Sequence, residues 1–184
     1  MRRLLLAAGA VAILVAISGC DPAEPRVTPA PTPSVTPVFA SDEEALAAAE
    51  AAYAAYLAVS DAILADGGKD PERIYSVATE SVGDQEQEGF EIFASKGYRS
   101  VGATTFDSGQ IESVDAFASV DVVRIYICAD SSSVDVVDSN GASVISPGRQ
   151  ARVPFSLGFD RSESTASGLI LSSKELWQGG GVCD

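Results

Sequence analysis

Three cysteines, Cys20, Cys128 and Cys183, carry the most reactive side chains in this sequence of 184 residues. A thiolate can attack a carbonyl, join a second thiol or bind a soft metal. Attack needs a base to take the proton, and the sequence holds no histidine. Metal capture needs closely spaced ligands such as Cys-x-x-Cys, and these cysteines lie far apart. Disulfide formation is the simplest use that remains, and the odd count means that all three cannot pair within one chain. Arg124 is the next group of interest, a cation between Val122 and Tyr126 in an apolar run. It suits an anionic ligand or a partner carboxylate, and pairing or an exposed sheet face is the simpler expectation. The stretch Asp138-Ser139-Asn140-Gly141 looks like the middle of an EF-hand calcium loop. In that register Val136 and Pro147 fall where the first and last ligands belong, so the pattern fails. No phosphate loop or nucleophile elbow is present, and no metal, cofactor or catalytic residue is expected.

Charge narrows the partners. There are 26 acidic against 12 basic side chains, a net charge of −14. So acidic a surface repels phosphate backbones, so no nucleic-acid partner is expected. The basic Arg2-Arg3 pair precedes an uncharged, mostly apolar run from Leu4 to Ile17. That run has the length of a signal-peptide core and is short for a membrane span. It closes in Ile17-Ser18-Gly19-Cys20, which resembles the lipobox of bacterial lipoproteins. By that resemblance residues 1–19 are a lipoprotein signal peptide, and Cys20 carries diacylglycerol and becomes the mature N-terminus. The protein is then expected on the extracytoplasmic face of the cell membrane, anchored by acyl chains that each contribute about 0.8 kcal/mol per buried methylene.

Behind these residues stand the elements that must position them. Residues 20–40 hold six of the nine prolines, interleaved with Thr28, Thr32, Ser34 and Thr36. Proline fixes φ and removes a backbone donor, so this reads as an extended spacer that reaches about 60 Å at full stretch. A folded domain is expected over 41–184. Ser41-Asp42-Glu43-Glu44 has the form of a capping box. It opens an alanine-rich helix with Leu46, Tyr53, Leu57, Ser60 and Leu64 near one face, joined by Tyr56 and Ile63. Gly67-Gly68 ends it. Asp70-Pro71 opens a short helix with Asp70 as N-cap, and a third helix is expected from Asp84 to Lys96, presenting Phe90, Phe93 and Ala94.

Beyond Gly97 the periodicity changes from helix to strand. The strongest strand, "FASVDVVRIYICAD", has Val123, Ile125 and Ile127 on one face, with Asp121 in phase with them. Val120, Val122, Arg124, Tyr126 and Cys128 share the other face. Asn140-Gly141 marks a hairpin. "RQARVPFSLGF" places Ala151, Val153, Phe155, Leu157 and Phe159 inward, and Pro154 favours an edge or a bulge. A last strand is expected near Gly168 to Ser173. Helices followed by consecutive antiparallel strands make an α+β domain, its N-terminal helices packed on a curved antiparallel sheet. Outside the cytoplasm, Cys128 and Cys183 most simply form a disulfide, the alternative being two free thiols. Closing a loop of about 56 residues is worth roughly 4 kcal/mol in the chain-entropy picture.

Several features together resemble small secreted or lipid-anchored actinobacterial proteins with an NTF2-like, cone-shaped domain. They are the first helix with Tyr53 and Tyr56, "GGKDPERI", "YRSVG", Cys128-Ala129-Asp130 before "SVDVVDSNGASV", and the terminal cysteine. The resemblance implies that the strand cysteine pairs with the C-terminal one and that the domain can form a homodimer. It also implies a cone interior, where a carboxylate base and tyrosine donors would support isomerase-like or hydrolase-like chemistry. Tyr53, Tyr56, Asp121, Arg124 and Tyr126 are the candidate pocket residues. The bland alternative, core or rim packing, is the stronger expectation for the tyrosines. The leading expectation for function is a non-catalytic, lipid-anchored module that binds an unidentified envelope protein or ligand; the alternative is a small-molecule binder or enzyme.

Overall fold

The computed structural model describes residues 38–184; the expected signal peptide, Cys20 and most of the spacer lie outside them. Helix α1 spans Asp42–Ala65. Ser41 caps it, its Oγ accepting from the Glu44 amide at 3.2 Å. The Glu44 carboxylate reaches back one residue further than a capping box requires, accepting from the Ala40 amide at 2.7 Å. The domain therefore begins before Ser41. Val38 and Phe39, expected in the spacer, pack against the core, and the Val38 amide donates to the Ala116 carbonyl at 3.1 Å.

α1 is long and apolar enough to cross a membrane by composition, yet it is the domain's central helix. Its buried stripe is Ala45, Ala49, Ala52, Tyr53, Tyr56, Leu57, Ser60 and Ile63. Leu46 and Leu64, expected on that stripe, are only half-buried. The alanines take the inner positions near the helix start because short side chains let the helix approach its neighbours closely. After Gly67 and Gly68 the chain makes a 3-10 helix, Pro71–Ser76. Asp70 stands at its N-cap position with φ 49° but makes no side-chain cap. Helix α2 spans Glu80–Lys96, starting four residues earlier than expected. Phe90 is buried and Phe93 half-buried, whereas Ala94 is exposed.

Six strands follow: β1 Arg99–Val101, β2 Thr105–Val114, β3 Val123–Asp130, β4 Asp135–Val137, β5 Arg152–Arg161 and β6 Leu169–Leu176. β1 and β4 form a two-stranded sheet, and β2-β3-β5-β6 form an antiparallel four-stranded one. The layout is α+β, with both helices packed on a curved antiparallel sheet. Bulges in β2 and β6 bend its two outer strands. The inner face carries Val123, Ile125, Ile127, Leu157, Phe159, Leu169 and Leu171, all buried beneath α1 and α2.

Two local expectations are corrected. Pro154 is on the interior strand β5, opposite Cys128, not on an edge. Its carbonyl accepts from the Trp177 amide, one residue past the end of β6. A strand residue's nitrogen and carbonyl point to the same side, so the missing N–H faces where the β6 ladder stops. The Asn140-Gly141 hairpin does form, but with Gly141 rather than Asn140 at positive φ, 83°. The turn bond runs from the Gly141 amide to the Asp138 carbonyl at 3.0 Å, placing Ser139 and Asn140 at its centre.

Candidate functional site

The inner face of the sheet and the two helices border a cavity of about 300 Å3 that opens to solvent. Tyr53, Tyr56 and Leu57 line it from α1, Glu86 from α2, Phe155 from β5 and Lys174 from β6. The Lys174 ammonium donates to the Tyr56 hydroxyl at 2.7 Å and to Glu86 Oε1 at 2.5 Å. It also lies 5.1 Å from the Tyr56 ring centroid and 5.9 Å from that of Phe155. Side-chain exposure is 25% for Lys174 and 20% for Glu86, so the pair is largely withdrawn from water. An ion pair in such a place is often no more stabilising than apolar residues of equal volume. Packing therefore does not account for it; what it does is make one wall of the cavity polar.

Burial, reinforced by the Glu86 charge, pushes the Tyr56 hydroxyl well above its ordinary pKa. Burial acts on Tyr53 in the same way, with Glu86 and Asp61 adding to it. Both phenols therefore stay protonated well into the alkaline range. At the cavity's rim Asp61 accepts from the Thr104 amide at 2.8 Å and from its hydroxyl at 3.0 Å, tying α1 to the start of β2. Every charged group lining the cavity has a partner within it.

The sequence-predicted pocket does not assemble as one site. Tyr53 and Tyr56 line the cavity, while Arg124 and Tyr126 stand on the opposite face of the sheet, because alternate residues of β3 point to opposite sides. Asp121 is corrected too. Its φ of 53° is left-handed, which breaks the alternation before β3. Its carboxylate joins Arg124 rather than sharing the face of Val123 and Ile125. Arg124 donates to Glu112 at 3.3 Å, Asp121 at 3.2 Å and Ser156 at 3.1 Å. This meets the pairing expectation. Burial opposes the charge on Arg124, yet Asp121 and Glu112 hold its pKa above the usual value. Burial likewise works against ionised Glu112, but hydrogen bonds from Ser156 and Tyr126 and the Arg124 charge bring its pKa below the ordinary value. Gly158 makes room for the cluster: a Cβ there would stand 2.4 Å from Ser173 Oγ and 2.8 Å from Asp121 Oδ1.

Lys174 and Glu86 are the functional candidates that sequence reasoning missed. Strict alternation from Leu169 and Leu171 would turn Ser173 inward and Lys174 outward. In β6, Leu171 pairs with Phe159 and Ser173 with Gly158, leaving Ser172 as an extra residue. The bulge reverses the phase, so Lys174 faces inward opposite Leu157. Glu86 was legible in principle, since it falls between Val82 and Phe90 at four-residue spacing on the buried stripe of α2.

On the outer face Cys128 and Cys183 are bonded, with S–S 2.01 Å and Cα–Cα 5.1 Å. Next to them Tyr126 and Trp177 stand 4.4 Å apart between ring centroids. Gly179 lies on the indole, where an added Cβ would come within 2.4 Å. Among the described residues no group of three or more His, Cys, Asp or Glu side chains is placed to hold a metal ion.

No family model matches the chain, and no curated protein matches it. Among solved structures, the intermembrane-space region of the chloroplast protein ARC6 is similar over 71% of this chain and 95% of that one, with TM-score 0.50 and 12% identity. At that identity the likeness is one of fold, an α+β domain. A de novo β-sheet design covers 77% of this chain and 94% of its own, with TM-score 0.32 and 12% identity.

Proposed function

We propose that the chain is a lipid-anchored protein of the cell envelope, held in the membrane through Cys20, whose domain is a non-catalytic binding module. The observation that carries the binding reading is the mutual pairing of its interior charges. Lys174 is paired with Glu86 and Tyr56, and Asp61 with Thr104, so neither an ionised base nor a nucleophile is left free in the cavity. A satisfied polar wall leaves no group poised for proton transfer, so in this reading binding falls to the domain's outer surface. Anchoring rests on the Ile17-Ser18-Gly19-Cys20 sequence. Two helices leading into a curved sheet is the order of elements expected of an NTF2-like cone. The test is the mass of the mature chain from cells. An acylated Cys20 as first residue is expected, and Cys20→Ala should release the protein from membranes. An intact residue 1 or an unmodified Cys20 sinks the anchoring.

The cavity itself favours a second reading, a small-molecule binder or an isomerase-like or hydrolase-like enzyme using the interior. At about 300 Å3 the space is at the small end of ligand pockets. Native mass spectrometry of the purified chain separates the two. A bound small molecule lost in Lys174→Met supports the second reading, and an unliganded chain whose envelope crosslinks are unchanged by that substitution supports the first.

A further inference from the structure

The chain enters the described domain at Val38, and the backbone that receives it is Ala116, at the tip of the β2–β3 connection. On that same tip are Phe117 and Val120, each 64% exposed, the two most exposed of the large hydrophobic side chains. Among the described residues nothing covers them, although the loop is well formed. The Asp115 carboxylate accepts from the Phe117 amide at 3.1 Å, and the Asp115 carbonyl accepts from the Ala118 amide at 3.1 Å. Arg161 is beside them, its amide bonded to the Ser119 carbonyl at 3.0 Å. Its side chain is exposed and makes no ion pair among the described residues. The neighbouring carboxylates are engaged: Asp115 in its own turn, Asp160 with the Asp121 amide, and Asp121 with Arg124.

We propose that this tip is a membrane-contacting edge, where Phe117 and Val120 enter the interfacial region of the bilayer that holds the acyl chains and Arg161 meets the headgroup phosphates. The inference rests on the lipid-anchor reading above. The tether joins the domain beside this tip, so the path along the chain from the anchor is shorter to this edge than to any other part of the domain, and the spacer's full stretch sets only the upper limit of their separation. Two apolar side chains would not hold a free protein on a membrane. On a tethered one the contact is intramolecular, and a weak contact is populated. The chain's net charge of −14 selects a zwitterionic surface over an anionic one.

The test uses the full acylated chain in phosphatidylcholine vesicles with brominated acyl chains, which quench tryptophan on contact. Phe117→Trp adds a reporter at the tip. Val144→Trp adds one beyond the opposite end of β3, and the unsubstituted chain reports Trp177 alone. The emission that Phe117→Trp adds over the unsubstituted chain should fall about two-fold or more on bromination, with little change in the emission that Val144→Trp adds or in that of Trp177. Equal quenching in all three, or none at position 117, overturns the proposal while an acylated Cys20 in the same sample leaves the anchor reading standing. A chain without the acyl mass removes the anchor reading and this inference together.

Discussion

The cavity's chemistry depends on one cation, Lys174. Lys174→Met leaves Glu86 facing the interior without its partner and should cost about 2 to 3 kcal/mol. The double variant Lys174→Met with Glu86→Leu should recover much of that, since an apolar pair carries no desolvation cost. Urea unfolding of the three chains checks both statements, and equal losses in single and double variants would contradict them. Tyr53 and Tyr56 make a second prediction. Their folded pKa values lie above those of the unfolded chain, so native protein binds more protons than unfolded protein once the pH passes about 10. Stability from this source is whole below that pH and falls as the pH climbs towards the folded values. Spectrophotometric titration should show these two phenols ionising only together with unfolding. Little of this was legible from residue types. The tyrosines stood on a helical face and could be placed, but Lys174 was hidden by the extra residue Ser172, and Asp121 by a left-handed backbone that no periodicity reveals.

At the level of elements, turns and caps decide how closely the pieces approach. Gly68 has φ 77°, and a Cβ there would come within 2.2 Å of the Phe90 carbonyl oxygen. A backbone atom cannot swing away as a side chain can, so Gly68→Ala should cost roughly 2 to 4 kcal/mol. Gly89→Ala, in the exposed middle of α2 with open space around its Cβ position, should instead gain about 1 kcal/mol. Thermal unfolding of the pair reads the contrast. The sequence showed these elements well wherever one local rule governed, as at Ser41 and along Ile125, Leu157 and Phe159. It failed at the start of α2, where Thr79 takes the N-cap position without a side-chain cap. What fixes that start is tertiary: the Thr79 amide donates to Leu171 of β6 at 2.9 Å, and the Leu171 amide to Val77.

For the molecule as a whole, the Cys128–Cys183 bond closes a span of 55 residues. Cys183→Ser should lower stability by about 4 kcal/mol in the chain-entropy picture, to be read by denaturant unfolding against the oxidised parent. The α+β class was legible because helical and alternating periodicities occupy separate halves of the sequence; the division of the pocket across the sheet was not, since a list of polar residues carries no faces. The same bond bears on how the protein would wear. Residues 138–150, within the disulfide's span, form an almost wholly exposed connection between β4 and β5, the kind of segment a protease nicks first. A cut there would separate the backbone into two pieces that remain one covalent object, with β5 and β6 still paired and still attached to the N-terminal half. Damage at that loop would show as a second band only under reducing conditions, and the nicked protein would stay where the intact one was.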